Sequence, residues 1–371
     1  MKPELSIDLP RIRHNAQQLL RVCQAGGRTV MGITKGCCGS PELAGAFVSA
    51  GMDFLADSRI DNLKKLREYA LPKVLLRLPG PGEAAQTVRY ADYSLNTQTA
   101  TLRRLSEEAV HQHRRHKVIL MIDVGDLREG IWIEDEKSIH QAVQTALACE
   151  GLELIGIGTN LTCYGGIVPT VENYTSLCQL AQLLRSRYGI ALPMVSGGNS
   201  SSIDLLLSGS MPAGITNLRI NQAVLLGREL AHGRPIAGWQ DDAFTLTAGI
   251  VEIQVKPSRP VGELAVGNAF GPPPQPADRG MRRRAILSIG RQEMDCTALV
   301  PLDAGALVVG ASSDHMIVDI ADSALPYRVG DRMAFRVKAY GCLIAGMASP
   351  YIQRNFLDTP ARRQSARKAM G

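Results

Sequence analysis

At 371 residues the chain is longer than one hydrophobic core usually serves. Its 45% hydrophobic and 20% charged content exclude a disordered or fibrous protein and suit a globular enzyme. The net charge of +6 is dispersed, and its densest clusters (HQHRRHK at 111–117, RRRAI at 282–286, ARRQSARK at 361–368) lack the interleaved aromatics of a nucleic-acid platform. They read instead as solvated faces and a frayed terminus. The N-terminus MKPELSIDLPRIRHN has no apolar signal core, and no run is long enough to span a membrane. Eight cysteines are scattered with no C-x-x-C pair, so neither a structural zinc site nor any other metal is expected. A reduced, cytoplasmic compartment is the expectation.

From residue 10 to about 220, apolar runs alternate with helical spacing. Candidate strands are TVMGIT (29–34), DFLA (53–56), KVLLRL (73–78), DYSLN (92–96), KVILMIDV (117–124), LELIGIGT (152–159), PMVSGG (193–198) and LRIN (218–221). Helices are expected over 12–24, 99–115 and 172–189, among others. Such alternation implies parallel βαβ units, and eight of them match a closed (β/α)8 barrel of the TIM type. An open doubly wound sheet is the alternative, but no G-x-G-x-x-G marks a first turn. After about 235 the texture changes. Runs at 242–255, 283–290, 305–313, 315–322 and 332–340 succeed one another without helices, and GNAFGPPPQPADRG (267–280) is a long irregular loop. A smaller all-β domain is expected there.

Barrel active sites lie where strands end, which directs attention to particular residues. The first strand runs into Lys35 in ITKGCCG. By itself such a lysine reads as a snorkelling residue at a strand end. The fifth strand leads to Arg128, the sixth to Asn160 and Tyr164, and the eighth holds Arg219. The seventh leads into SGGNSSS (196–202), whose glycines, Asn and Ser can cradle a phosphate at a helix start or merely cap the helix. An amine, a phosphate site and an arginine at one barrel mouth suit pyridoxal phosphate, or a Schiff-base aldolase acting on a phosphorylated substrate.

These segments resemble the fold-type III pyridoxal-phosphate amino-acid racemases, the alanine racemase superfamily. The resemblance covers about residues 5–355 and rests on LSIDLPRIRHN, VMGITKGCCG, IDVGDLREGIW, SGGNSSS, LRINQAVLLG and SSDHMIVDIAD, in that order. ADSRIDNLKKL, GTNLTCYGG and GASSDH are similar to the ornithine racemase branch. The resemblance implies that Lys35 carries pyridoxal 5'-phosphate as a Schiff base and acts as one acid/base. Ser200 with the backbone of Asn221 and Gln222 would hold the phosphate, with Tyr340 as a further ligand. Arg128 would lie near the cofactor 3′ oxygen, Asn160 would take the place of a ring-packing histidine, and Arg219 would meet the pyridine nitrogen. Arginine stays protonated and can give that nitrogen only a hydrogen bond, which favours racemisation over transamination. A fold-type III decarboxylase would offer a carboxylate instead.

The departures from the family pattern are specific. Arg291, in LSIGRQEMD, stands where alanine racemase has the partner subunit's catalytic tyrosine. A two-base racemase needs a group on each face of the substrate carbanion. Asp314 and His315 are the neighbouring candidates; the alternative for His315 is a structural hydrogen-bonding role. Cys38 and Gly39 replace the tyrosine that comes after the family's lysine, and Met121 stands at the place of its carbamylated lysine. The expected activity is therefore racemisation of ornithine or another basic amino acid. Alternatives are an alanine or broad-specificity racemase, a fold-type III decarboxylase and a non-catalytic cofactor carrier; the β domain argues against the carrier. The expected division is a barrel over 9–234, a β domain from 1–8 plus 235–358, and a flexible tail over 359–371. A head-to-tail homodimer is implied, with no nucleic-acid or membrane partner.

Overall fold

The computed structural model describes residues 2–267, 269–272 and 277–358. The expected tail at 359–371, the basic cluster 361–368, Met1 and parts of the 267–280 loop lie outside the described residues. The chain divides into two compact units, Arg11–Asp241 and the residues on either side of it.

In chain order, β1 (Glu4–Asp8) belongs to the second unit. After it come α1 (Leu9–Ala25), β2 (Thr29–Ile33), α2 (Pro41–Ala50), β3 (Phe54–Asp57), α3 (Ile60–Lys65), β4 (Lys73–Leu75), α4 (Ala84–Tyr90), β5 (Tyr93–Asn96) and α5 (Thr99–His111). Next are β6 (His116–Asp123), β7 (Ile131–Trp132), α6 (Glu136–Ala148), β8 (Leu152–Gly158), α7 (Val171–Tyr188), β9 (Met194–Ser196), α8 (Ile203–Leu207), β10 (Asn217–Ile220) and α9 (Gln222–Leu226). The strands pair in parallel in the order β5-β4-β3-β2-β10-β9-β8-β6, and β6 returns to β5. This is the closed eight-stranded barrel expected from the alternation.

All eight anticipated strands are present. Two-residue β7, which pairs with β6, had no periodic signal of its own. In the barrel, two boundaries fall three or four residues earlier than expected. β4 ends at Leu75; Leu76 keeps one bond to β3, its N–H donating to Asp57 O at 2.8 Å, and Leu76 to Leu78 line the cavity that holds Lys35. α5 ends at His111, because His113 takes a positive φ of 53° and Arg114 caps the turn onto α4 through Val88 O at 2.7 Å. Inside the barrel, Met31, Ile33, Phe54, Ala56, Val74, Leu95, Ile119, Met121, Ile155 and Met194 form one buried apolar cluster. It is a packed core of branched and flexible side chains, not a pore.

The second unit contains β11 (Phe244–Pro257), β12 (Met281–Leu287), β13 (Leu299–Pro301), β14 (Leu307–Ala311), β15 (Met316–Asp319), β16 (Arg332–Val337), α10 (Tyr340–Ala348) and β17 (Gln353–Leu357). Its sheet runs β13-β16-β11-β12-β15-β14, with β1 between β11 and β17. β11 serves both halves of the sheet. It pairs with β1 and β16 through its first part, then shifts register between Ile250 and Glu252 and pairs with β12. Such a bulge bends the strand and turns its second half. Leu5, Ile7, Phe244, Leu246 and Phe335 are buried within it.

The expectation of consecutive strands without helices is corrected at one place: the run assigned to 332–340 stops at Val337, and Tyr340 opens α10. The segment YGCLIAGMA is apolar at nearly every position, so it carried no alternation to separate helix from strand.

Candidate active site

Lys35 does not extend β2. Thr34 leaves the strand, donating its N–H to Ala56 O at 2.8 Å, and Lys35–Cys37 form a single 3-10 turn. A buried carboxylate holds this turn. Asp57, at the end of β3, accepts from Thr34 Oγ1 at 2.7 Å, from Asn62 Nδ2 at 3.0 Å and from the Arg59 N–H at 2.9 Å. Burial raises the Asp57 carboxyl above its usual range, and the Thr34 and Asn62 hydrogen bonds oppose that. Asn62 also receives Lys65 Nζ at 3.0 Å, and the same ammonium donates to Cys38 O at 2.8 Å. Gly39 completes the turn at φ +63°; a Cβ there would stand 2.6 Å from Asn62 Cβ. The small residues after Lys35 thus serve a tight turn pressed against α3.

Lys35 lines a cavity of about 360 Å³ together with Arg128, Glu129, Asn160, Cys163, Asn199 and Arg219. Ile33, Leu76, Leu78 and Leu95 supply its apolar walls. Burial lowers the Lys35 ammonium from the ordinary lysine value; Arg128 and Arg219 push the same way, and Cys163 and Glu129 oppose.

Arg219 is almost wholly buried. Its Nη1 donates to Ser196 Oγ, and its Nη2 donates to Thr159 O and to Asn160 Oδ1, the last at 2.8 Å. Ser196 in turn donates to Asn217 Oδ1 at 2.7 Å. Burial brings the guanidinium down to about 10, which still leaves it charged at neutral pH. Asn160 Nδ2 donates to Glu129, and Glu129 pairs with Arg128 through two guanidinium nitrogens.

The loops carrying these residues are tied together. Asp126 Oδ2 accepts from the N–H groups of Cys163 at 3.0 Å and Tyr164 at 2.9 Å, joining the loop after β6 to the loop after β8. Asn199 Nδ2 donates to Leu161 O at 2.8 Å and to Cys163 Sγ at 3.0 Å. Gly130, at φ +134°, lets this loop pass against β6; a Cβ there would lie 2.4 Å from Asp123 N.

SGGNSSS forms a turn, not a long helix start: Ser200–Ser202 are 3-10, and α8 runs only from Ile203 to Leu207. Ser200 Oγ accepts from the N–H groups of Asn221 and Ala223, both at 3.2 Å. The loop after β9 therefore meets the residues that open α9, Asn221 and Gln222. Asn221 Nδ2 donates to Ile33 O at 2.7 Å, fastening this cradle to the end of β2. Ser201 Oγ is buried with no hydrogen-bond partner among the described residues.

The first unit thus brings together Lys35, Arg128, Asn160 and Arg219 in one cavity, and Ser200 with the N–H groups of Asn221 and Ala223 in one cradle; Gln222 is the first residue of α9 beside it. Tyr164 does not join them: it is exposed, and its neighbour Cys163 lines the cavity instead. Thr34, Asp57 and Glu129 were not singled out from the sequence. Asp57 ends a barrel strand, the same signal that marked Lys35, and Glu129 adjoins Arg128 within IDVGDLREG.

Tyr340, Asp314 and His315 belong to the second unit. Tyr340 is the first residue of α10. Asp314 and His315 are exposed in the turn from β14 to β15, where Asp314 accepts from Gln292 Nε2 at 2.9 Å and the His315 N–H donates to Ser312 Oγ at 3.2 Å. Arg291 packs on the same turn, its N–H donating to Ser312 O at 2.9 Å and its guanidinium lying 5.0 Å from the Phe270 ring. Among the described residues no group of three or more His, Cys, Asp or Glu is placed to hold a metal ion, and no helix is long and apolar enough to cross a membrane.

Comparison with known proteins decides the lineage. The family model for the alanine racemase N-terminal domain matches residues 7–213. The chain is 43% identical to the ornithine racemase of Acetoanaerobium sticklandii over 357 residues, covering 96% of this chain and all of that one.

This chain belongs to the alanine racemase family.

It is also 36% identical to the lysine racemase of Thermotoga maritima, over 95% of this chain and 98% of that one. The fold matches the alanine racemase of Bartonella henselae, a structure with covalently bound pyridoxal phosphate, at a TM-score of 0.72 and 16% identity, covering 96% of this chain and 100% of that one. One departure from the alanine racemase pattern has a clear structural setting. Met121, one of the departures expected from the resemblance, is fully buried in the apolar barrel cluster, where a charged side chain would be costly.

Proposed function

We propose that this protein is a pyridoxal-phosphate racemase of a free basic amino acid, ornithine or lysine, and that Lys35 carries the cofactor. The observation that carries the reading is that Lys35 and Arg219 share one cavity, with a hydroxyl-and-amide cradle fastened to the strand that delivers the lysine. The residues fit the group. Ser200 Oγ, held by the Asn221 and Ala223 N–H groups, keeps its own proton to donate to a phosphate, and buried Ser201 Oγ has a hydroxyl with no protein partner to turn toward it. Identity of 43% to an ornithine racemase and 36% to a lysine racemase supports the substrate class.

When bound, pyridoxal phosphate supplies an aldehyde for imine exchange and an electron sink for the substrate carbanion. The chain's own residues then have separable tasks. Lys35 releases its proton more readily than an ordinary lysine, because burial and two neighbouring guanidinium groups disfavour its charge, and so can act as a nucleophile and as one acid/base. Arg219 would donate a hydrogen bond at the ring nitrogen and keep its own proton. Ser200 with the backbone of Asn221 and Gln222 would hold the phosphate, and Tyr340 would add a further contact. Arg128 would hold the 3′ oxygen, and Asn160 would pack beside the ring. The second acid/base comes from Asp314 or His315 of a partner subunit in a head-to-tail homodimer, with the cytoplasm as the compartment.

The test is direct. Purified protein is incubated with L-ornithine, L-lysine and L-alanine, and optical rotation and CO₂ are monitored. Loss of rotation with the basic substrates and no CO₂ is expected. The yellow absorption of the reconstituted protein should be absent from Lys35→Ala. CO₂ release, or no such absorption in the wild type, refutes the reading.

A further inference from the structure

Glu129 has no task among the catalytic roles assigned to this cavity, yet it is the hub of the polar network at the barrel mouth. Its side chain is 17% exposed. It accepts from both Nε and Nη2 of Arg128, and from Nδ2 of Asn160. Asn160 then accepts from Arg219 Nη2 at 2.8 Å.

The direction of this chain of bonds is dictated by chemistry. A guanidinium can only donate, so Asn160 must turn its carbonyl oxygen to Arg219. Its NH₂ is thereby aimed the other way and needs an acceptor, since a poorly solvated donor left alone is costly. A carboxylate is acceptor-only, so Glu129 fixes which end of the amide faces which neighbour. The amide in turn fixes the guanidinium plane, together with Ser196 Oγ and Thr159 O. Those bonds use Nη1 and Nη2 of the guanidinium.

We propose that Glu129 is a positioning residue that locks the amide of Asn160, and through it the Arg219 guanidinium, while its ion pair holds Arg128. The proposal rests on the reading of this cavity as the pyridoxal-phosphate site. A competing role is recognition of the substrate's distal ammonium. The carboxylate's existing contacts disfavour it: both oxygens already serve Arg128, and one also serves Asn160.

The experiment uses the full chain with and without cofactor, in the variants Glu129→Gln, Glu129→Ala and Asn160→Ala, each checked for native circular dichroism. Two quantities are measured: the dissociation constant of pyridoxal phosphate, and the pH dependence of Lys35 acylation in the cofactor-free protein, mapped by mass spectrometry. Glu129→Ala and Asn160→Ala should each weaken cofactor binding by about tenfold, the equivalent of one good hydrogen bond. Both Glu129 variants should shift the Lys35 profile to lower pH, because a negative neighbour is lost while Arg128 and Arg219 remain. Asn160→Ala, which removes no charge, should leave that profile in place.

Wild-type cofactor affinity and an unmoved Lys35 profile in Glu129→Ala overturn the proposal. A rise in KM for ornithine in Glu129→Gln, with cofactor affinity and the Lys35 profile unchanged, also overturns it and assigns Glu129 to the substrate. If the wild type itself binds no pyridoxal phosphate, the cofactor reading fails. The acylation profiles still test the charge coupling independently.

Discussion

Thr34→Val removes a hydroxyl from behind the site lysine without changing the side chain's shape. Thr34 and Asp57 are both fully buried, and the hydroxyl donates to Asp57 Oδ2 at 2.7 Å. A hydrogen bond to a charged group contributes about 1.5–3 kcal/mol, and the carboxylate keeps its Asn62 and Arg59 donors, so we expect a loss of about 2 kcal/mol. For a unit of this size that corresponds to a fall of about 4–8 °C in Tm. The pH dependence identifies the cause. Burial holds the Asp57 carboxyl above its unfolded value of 3.8, and removing the Thr34 donor raises it further. Between those two values the native state binds more protons than the unfolded chain, so acidification relieves the buried charge. The loss in Thr34→Val should therefore be full at neutral pH and shrink as pH falls toward the raised carboxyl value. Urea unfolding of wild type, Thr34→Val and Thr34→Ser at about pH 7.5 and about pH 5 measures it. Thr34→Ser keeps the hydroxyl and should show only a small, pH-independent cost from the lost methyl. A Thr34→Val loss equal at both pH values refutes the role of the Asp57 charge.

Three further outcomes rest on specific contacts. His116 is buried against Ser94 Oγ at 2.8 Å and pushed down to about 4 by burial, with Arg114 adding to it. Its native state excludes a proton that the unfolded chain binds below 6.5, so about 3 kcal/mol of stability should be lost as pH falls from 6.5 to about 4. His116→Gln should flatten that limb of a urea-stability profile, and an unchanged slope contradicts the reasoning. Gly39→Ala forces a left-handed residue and a Cβ 2.6 Å from Asn62 Cβ, so a loss above about 2 kcal/mol is expected, together with slower Lys35 acylation. Arg219→Lys replaces a fork by one ammonium that cannot serve Ser196, Thr159 and Asn160 together; cofactor binding should weaken by about tenfold or more, measured by absorbance titration.

The barrel was legible because eight short apolar runs alternate with helical spacing, and each run became a strand. Strand-end logic also brought Lys35, Arg128, Asn160 and Arg219 to one cavity, since a closed barrel gathers the C-terminal ends of its strands around one mouth. It failed for Tyr164, because a loop residue's direction depends on turn geometry: Asp126 takes the Tyr164 and Cys163 N–H groups side by side and leaves the ring exposed. It passed over Asp57 and Glu129 for another reason. A carboxylate beside a turn looks like a solvated charge until its donors are known, and two of those donors, Thr34 for Asp57 and Asn160 for Glu129, lie 23 and 31 residues away in the chain. In the second unit, α10 was hidden by uniform apolarity, and β1 and β17 were short strands that only pairing to each other and to β11 makes evident.

Among the cations of this cavity, Lys35 and Arg219 pose a problem that the residue types resolve differently. The apolar barrel cluster contributes Ile33 and Leu95 to the cavity wall, and burial disfavours the charge on both Lys35 and Arg219. Lysine can yield its proton to relieve this cost, and its amine is then a nucleophile. Arginine cannot, because even at about 10 it stays charged at neutral pH, and it is compensated by Ser196, Thr159 and Asn160. The acceptors of the network are thus directed at the two arginines rather than at the lysine amine. Had Lys35 been given a carboxylate partner, it would stay protonated and lose its reactivity. Glu129 stands near enough to be felt by Lys35, yet its oxygens are occupied by Arg128 and Asn160. That occupation separates a reactive amine from a permanent cation within a single cavity.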